Sequence, residues 1–298
     1  MPDRDDIFDE AFLARLRRLR LIAKRLASRQ QPGLRRSRRV GDGLEFADHR
    51  DYAPGDDLRF IDWPYYARME KLLLRLFHEH SEADVAILLD TSASMAPGNG
   101  VEKFHYALRA SAALAFLAMG GFDRVILQPF SDDLRPPLQC GRTKENILQV
   151  LDYLAAQEPG GTTNLTRSAD RFARTLSEGA TVLLVSDLLG CGNQLSDALA
   201  GLKARRADVT ALHVYARADA APDLHGPTLL EDAETGDRMT LEVSDELLAA
   251  YRRRWDAMQK ALARACRSRG ARFVAAATDE PLEQLVLTSL RRAGVLAG

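Results

Sequence analysis

The chain has 298 residues, of which 46% are apolar and 28% charged, and its net charge is −1. That apolar fraction can fill a core, which excludes a disordered chain, and the length sets an expectation of one large domain or two small ones. The longest charge-free apolar stretch, residues 110–122, is thirteen residues long, short of the roughly 20 a bilayer span requires, so it reads as a buried helix.

The chain opens on Asp3, Arg4, Asp5 and Asp6 with no apolar run behind them, so no secretory signal is expected. Cys140, Cys191 and Cys266 are too scattered for a disulfide framework or a zinc site. The expectation is a soluble, reduced, cytoplasmic protein. Residues 11–40 then carry eleven basic groups and no acid, which leaves −12 on the remainder. Within them Phe12, Leu16, Leu19, Ile22 or Ala23, and Leu26 recur at steps of three and four, the spacing of a helical stripe. One reading docks this stripe on the protein's own body and leaves the arginines in water. Another lays a basic amphipathic helix on a partner or on the inner face of a membrane. No aromatic residues interleave the arginines, which argues against single-stranded nucleic acid.

Residues 41–83 hold turn signals and aromatics, with a short strand expected near 72–77. From 84 onward, strands and helices alternate. Strands are expected at 85–89, 124–130, 181–186, 209–215 and 271–276, and an edge segment at 132–138, interrupted by Pro136-Pro137. Helices are expected at 101–119, 144–156, 165–176, 195–203, 245–269 and 281–292. Segments 228–232 and 238–243 flank the turn Glu234-Thr235-Gly236-Asp237 and read as a hairpin. Continuous apolar strands alternating with helices mean an α/β fold: a mostly parallel sheet with helices on both faces. The expected organisation is a basic helix and arm (1–40), a loop and strand segment (41–83) and the α/β domain (84–298).

Ligands of such sheets sit beyond the carboxyl ends of the strands. There the first strand ends in Asp90-Thr91-Ser92-Ala93-Ser94, and the 181–186 strand is followed by Asp187. Gly160-Gly161-Thr162-Thr163-Asn164 opens a helix between them. Two carboxylates and several hydroxyls make a hard, all-oxygen set, suited to Mg²⁺, Mn²⁺ or Ca²⁺ and unsuited to zinc. Each element alone has a plainer explanation, since Asp and Ser also cap helices. His78-Glu79-His80 lacks a third ligand and reads as structural.

The order Asp90-x-Ser92-x-Ser94, then Thr163 (or Thr162), then Asp187 resembles the metal-ion-dependent adhesion site (MIDAS) of von Willebrand factor A domains, over roughly residues 84–277. The segment before it resembles the corresponding block of the bacterial domain-of-unknown-function 58 family. It carries Gly43-Leu44-Glu45-Phe46, Arg50, Tyr52, Pro54-Gly55-Asp56-Asp57, Arg59, Ile61-Asp62-Trp63 and Ala67-Arg68. The resemblance implies a divalent metal held by Asp90, Ser92, Ser94, Thr163 and Asp187, with an acidic residue of a protein partner completing its coordination. It also implies work beside a MoxR-type AAA+ ATPase in protein assembly or activation. Many relatives have membrane helices before this block, where this chain has its basic helix.

Three functions compete. The first is a non-enzymatic, metal-dependent interaction module. The second is a phosphatase-like hydrolase with Asp90 as nucleophile. It is weakened by Ser92 standing where such enzymes carry a second Asp, and by the lack of an evident lysine. The third is an electrostatic binder of membrane or nucleic acid through residues 11–40. No G-x-x-x-x-G-K-[ST] nucleotide loop occurs, so ATP use is expected of a partner.

Overall fold

The computed structural model describes residues 4–27, 37–39, 45–79, 84–96, 102–120, 124–141 and 147–286. They fall into two compact units, Met1–Ala27 with Ala83–Gly298, and Ser28–Glu82. The first 27 residues therefore group with the later domain instead of standing apart as an arm. The rest of the arm up to residue 36, motif residues Gly43 and Leu44, His80, positions 144–146 and the closing helix beyond 286 lie outside the described residues.

In chain order, α1 (Arg4–Ile7) and α2 (Glu10–Ala27) come first. The smaller unit follows, with β1 (Ser37–Arg39), β2 (Glu45–Asp51), α3 (Trp63–Met69) and β3 (Leu73–Glu79). Its strands form an antiparallel sheet in the order β1-β3-β2, with a bulge in β2 between Phe46 and Asp48. Ile61 bridges Leu74, and both are buried. Polar side chains hold the long connection from β2 to β3. Arg50 grips Asp56 with two bonds of 2.8 and 2.6 Å, and Asp56 also accepts from Ala53 N at 2.8 Å. Asp62 caps α3 through Tyr65 N at 2.9 Å and meets His49 Nε2 at 2.8 Å.

The larger unit continues with β4 (Asp84–Asp90), α4 (Glu102–Gly120), β5 (Arg124–Phe130), β6 (Leu138–Cys140), α5 (Ile147–Ala155), α6 (Leu165–Thr175) and β7 (Thr181–Ser186). Then come α7 (Gly192–Ala204), β8 (Asp208–Tyr215), α8 (Arg217–Ala220), β9 (Gly226–Glu231), β10 (Arg238–Val243), α9 (Asp245–Ser268), β11 (Arg272–Ala277) and α10 (Leu282–Gln284). Six strands form one sheet in the order β11-β8-β7-β4-β5-β6. Every pairing in it is parallel except β5 with β6.

The fold is thus the expected α/β sheet with helices on both faces. Alternate residues of β4 feed two cores. Val85, Ile87 and Leu89 join α4, α5 and the N-terminal helices, while Ala86 and Leu88 join α6, α7 and α9. One expectation shifts. The edge strand lies at 138–140, past Pro136-Pro137, because proline has no N–H to give to a ladder. The stretch before it is tied locally, with Ser131 N on Asp133 O at 3.0 Å.

The helical stripe of α2 docks on this unit. Phe12, Leu16 and Leu19 are buried with Ile7 and Phe8 in the core beside α4, and Arg109 Nε donates to Ile7 O at 2.7 Å. Arg15, Arg17 and Arg18 face outward. The apolar side as far as Leu19 is therefore not available for membrane insertion without undocking. Leu16→Ala should destabilise the protein by about 2–4 kcal/mol, as buried leucine truncations do. Limited proteolysis should then release the N-terminal segment before the sheet is cut; unchanged protease resistance would contradict the docking.

Candidate functional site

The first strand of the sheet delivers Asp90 to its carboxyl edge, fully buried. Asp90 Oδ1 accepts from Ser92 N at 2.9 Å, and Oδ2 accepts from Ser186 Oγ at 2.6 Å. These bonds close the strand end into a tight turn, so Ser92 and Ser94 come to the same edge. Ser92 Oγ lies 3.0 Å from Ser94 Oγ, which in turn reaches Asp187 Oδ1 at 3.4 Å. The 160–163 loop is stitched to this turn by Gly160 N on Thr91 O at 2.8 Å and Ala93 N on Gly161 O at 3.0 Å. Gly161 has φ +81, a left-handed conformation that a side chain would strain. Four of the five expected ligands, Asp90, Ser92, Ser94 and Asp187, are thereby linked by short polar contacts, and the fifth, Thr163, sits on the stitched loop.

After Asp187 the chain turns through Leu188 at φ +51. A branched side chain there costs about 1–2 kcal/mol. Ser186 Oγ and Asp187 Oδ1 repay part of it by accepting from Leu188 N at 2.9 Å and Leu189 N at 3.2 Å.

Four further residues complete the site, none of them foreseen from sequence. Lys103, on the inner face of α4, donates to Asp187 Oδ2 at 2.9 Å and lies 3.3 Å from Asp219 of α8. The sequence shows no evident lysine for this site, and the structure supplies one beside Asp187. A charged residue in the otherwise apolar stripe of α4 was the available signal. Ser186 is Asp90's partner. Glu234, at the tip of the β9–β10 hairpin, accepts from Thr163 N at 2.8 Å and from Thr163 Oγ1 at 2.6 Å. No local pattern marks it.

Charge is unevenly compensated. Burial, and next the Asp187 charge, push the Asp90 carboxyl up to about 6. Burial and the neighbouring Asp90, Asp187 and Glu234 also hold the Cys191 thiol well above its usual range. Burial keeps the His213 imidazole, stacked against Tyr215, uncharged, with its value down to about 4.

The donor set fits a hard cation. Among the described residues no three His, Cys, Asp or Glu side chains gather closely enough to hold a metal, so an ion here would draw on the hydroxyls as well. Adjacent ligands of an octahedral Mg²⁺ at about 2.1 Å lie about 3.0 Å apart, and the Ser92 and Ser94 hydroxyls stand at 3.0 Å.

The family-motif residues lie in the other unit. Glu45 opens β2 opposite His78. Tyr52 N donates to Leu72 O at 3.1 Å, and Gly55 makes its turn at φ +104. Arg50 and Asp56 form the ion pair described above, while Asp57 caps the next turn and pairs with Arg59 at 2.7 Å. Arg68 Nε reaches Pro64 O at 3.1 Å, and Trp63 beside the capping Asp62 is 54% exposed. These contacts organise the connection from β2 to β3.

The family model described as "Protein of unknown function DUF58" matches residues 48–262. An uncharacterized protein of Mycobacterium bovis is 30% identical over 302 residues, spanning 99% of this chain and 94% of its own. An uncharacterized protein of Mycobacterium tuberculosis matches with the same figures, 30% over 302 residues. Among solved structures, the conserved hypothetical protein BatB from Bacteroides thetaiotaomicron is similar with a TM-score of 0.41 and 11% identity, over 72% of this chain and 99% of that one. A von Willebrand factor type A protein from Catenulispora acidiphila is similar with a TM-score of 0.38 and 11% identity, over 74% of this chain and 43% of that one.

Proposed function

The chain belongs to the DUF58 family, and on that premise we propose that its larger unit is a metal-dependent protein-interaction module. The observation that carries the reading is the meeting of two buried carboxylates, Asp90 and Asp187, with the Ser92 and Ser94 hydroxyls at one sheet edge. Burying two carboxylates beside each other is costly without a cation. Lys103 supplies one positive charge to Asp187 and Asp219, and Asp90 is left with hydrogen bonds alone. Asp90, Ser92, Ser94, Thr163 and Asp187 would hold Mg²⁺ or Mn²⁺. The ion would act there as a Lewis acid toward a carboxylate of the partner.

The helix that follows Thr163 lines an open cleft of about 700 Å³ with Asn164, Thr166, Arg167, Asp170, Arg171 and Arg174. Arg167 and Arg171 pair with Asp133, so the cleft's positive charge is partly neutralised from within. The hydrolase reading is disfavoured, because Ser92 stands where an aspartate-nucleophile enzyme needs its second carboxylate.

Calorimetric titration of Mg²⁺ and Mn²⁺ into wild type and Asp90→Ala tests the site. Binding to wild type that is lost in the variant is the expected result; equal binding by both would overturn it. The partner we propose is a MoxR-type AAA+ ATPase that contributes an acidic side chain. Purified ATPase should associate in Mg²⁺ and dissociate in EDTA. Among the described residues no helix is long and apolar enough to cross a membrane. We propose a cytoplasmic module, with the exposed arginines of α2 as its surface toward anionic lipid.

A further inference from the structure

The β9–β10 hairpin ends in a tip whose geometry is fixed from within. Asp232 Oδ1 accepts from Glu234 N at 2.8 Å and from Thr235 N at 2.9 Å. Asp232 N donates to Asp237 O at 2.8 Å, and Gly236 N to Asp232 O at 2.9 Å. These bonds set the turn from which Glu234 projects. Its two carboxylate oxygens each take one donor of a single residue, Thr163 N and Thr163 Oγ1. The strands behind the tip bury little, since Leu229, Leu230 and Met239 are 61%, 42% and 62% exposed.

A threonine hydroxyl has one proton and two lone pairs. A hydroxyl that ligates a cation must turn its lone pairs to the ion and give its proton elsewhere. Glu234 takes that proton at 2.6 Å. Thr162 is exposed, whereas Thr163 is half-buried under the hairpin tip, so the contact also separates the two candidate threonines.

We propose that Glu234 is the positioning residue of the metal site: it clamps Thr163 with its lone pairs free for the ion, and so couples the hairpin to the metal. This rests on the metal reading above. Coordination polarises the hydroxyl and strengthens its bond to Glu234, and by linkage the clamp strengthens metal binding to the same degree. Partners of this outer kind typically contribute about 10–100-fold to metal affinity.

The test is an Mn²⁺ titration followed by electron paramagnetic resonance on wild type, Asp90→Ala, Glu234→Ala, Glu234→Gln, Thr163→Ala and the Thr163→Ala/Glu234→Ala double variant. Amide exchange of residues 226–243 is measured with and without Mn²⁺. Glu234→Ala should weaken Mn²⁺ roughly 10–100-fold. Glu234→Gln, which keeps one acceptor, should fall between, and the double variant should bind no more weakly than Thr163→Ala alone. Mn²⁺ should slow exchange of the hairpin in wild type and leave it unchanged in Glu234→Ala. A Glu234→Ala affinity within twofold of wild type, or additive losses in the double variant, overturns the clamp while Asp90→Ala still reports on the metal site. Absence of Mn²⁺ binding to wild type overturns both readings.

Discussion

Replacing Asp90 by asparagine should make the metal-free protein more stable at pH 7.5 and remove its stabilisation by Mg²⁺. The Asp90 carboxyl stands at about 6 in the folded chain against 3.8 for an ordinary aspartate. Between those values the folded state holds a proton that the unfolded state has released, so stability falls as pH rises through the window. Above it, the ionised carboxylate costs about 3 kcal/mol, an order of magnitude set by the size of the displacement. Asparagine removes the charge but cannot accept from Ser92 N and Ser186 Oγ through both its terminal atoms, a loss of about 1 kcal/mol. The net gain in EDTA should be about 2 kcal/mol. Urea melts read it directly: the variant's advantage should shrink at pH 5, where wild type is protonated, and reverse in Mg²⁺. A variant less stable than wild type at both pH values would mean that Asp90 carries no such penalty.

Lys103→Met should have the opposite effect. Lys103 and Asp187 side chains are each 2% exposed, and methionine fills a similar volume without the charge. Removing one member of a buried pair leaves the other uncompensated, which costs about 3–5 kcal/mol. Here two carboxylates, Asp187 and Asp219, lose their cation. The loss should be partly restored by millimolar Mg²⁺, since an ion beside Asp187 would take over the neutralisation. Calorimetric Mg²⁺ affinity should rise in the variant as the competing ammonium is removed. Destabilisation below 1 kcal/mol, or a variant indifferent to Mg²⁺, would contradict this account.

The two cases show where local pattern carries information. β5 and β7 occupy 124–130 and 181–186 as expected, because β7 and nearly all of β5 are buried, and such strands read as unbroken apolar runs. Asp90, Ser92, Ser94 and Asp187 were legible for a related reason: residues just after parallel strands gather at one edge, whatever the intervening helices do. The proline pair at 136–137 places β6 at Leu138–Cys140, later than the expected edge segment at 132–138. Lys103 and Glu234 were not legible, since each reaches the site from an element whose approach depends on tertiary packing. Lys103 is 84 residues from Asp187, and Glu234 is 71 from Thr163. The stripe of α2 is visible in the sequence, but its destination, α4, lies more than 70 residues further along the chain and is not.

That discontinuity has a consequence during synthesis. Phe12, Leu16 and Leu19 leave the ribosome before their packing partners on α4, which is complete only at residue 120. At about 5–20 residues per second, the nascent helix waits on the order of 10 s with its apolar face unmatched. The same helix carries Arg15, Arg17 and Arg18 on its outer face, and like charges on neighbouring nascent chains repel. Repulsion of this kind opposes association of the unmatched segment until α4 is in place.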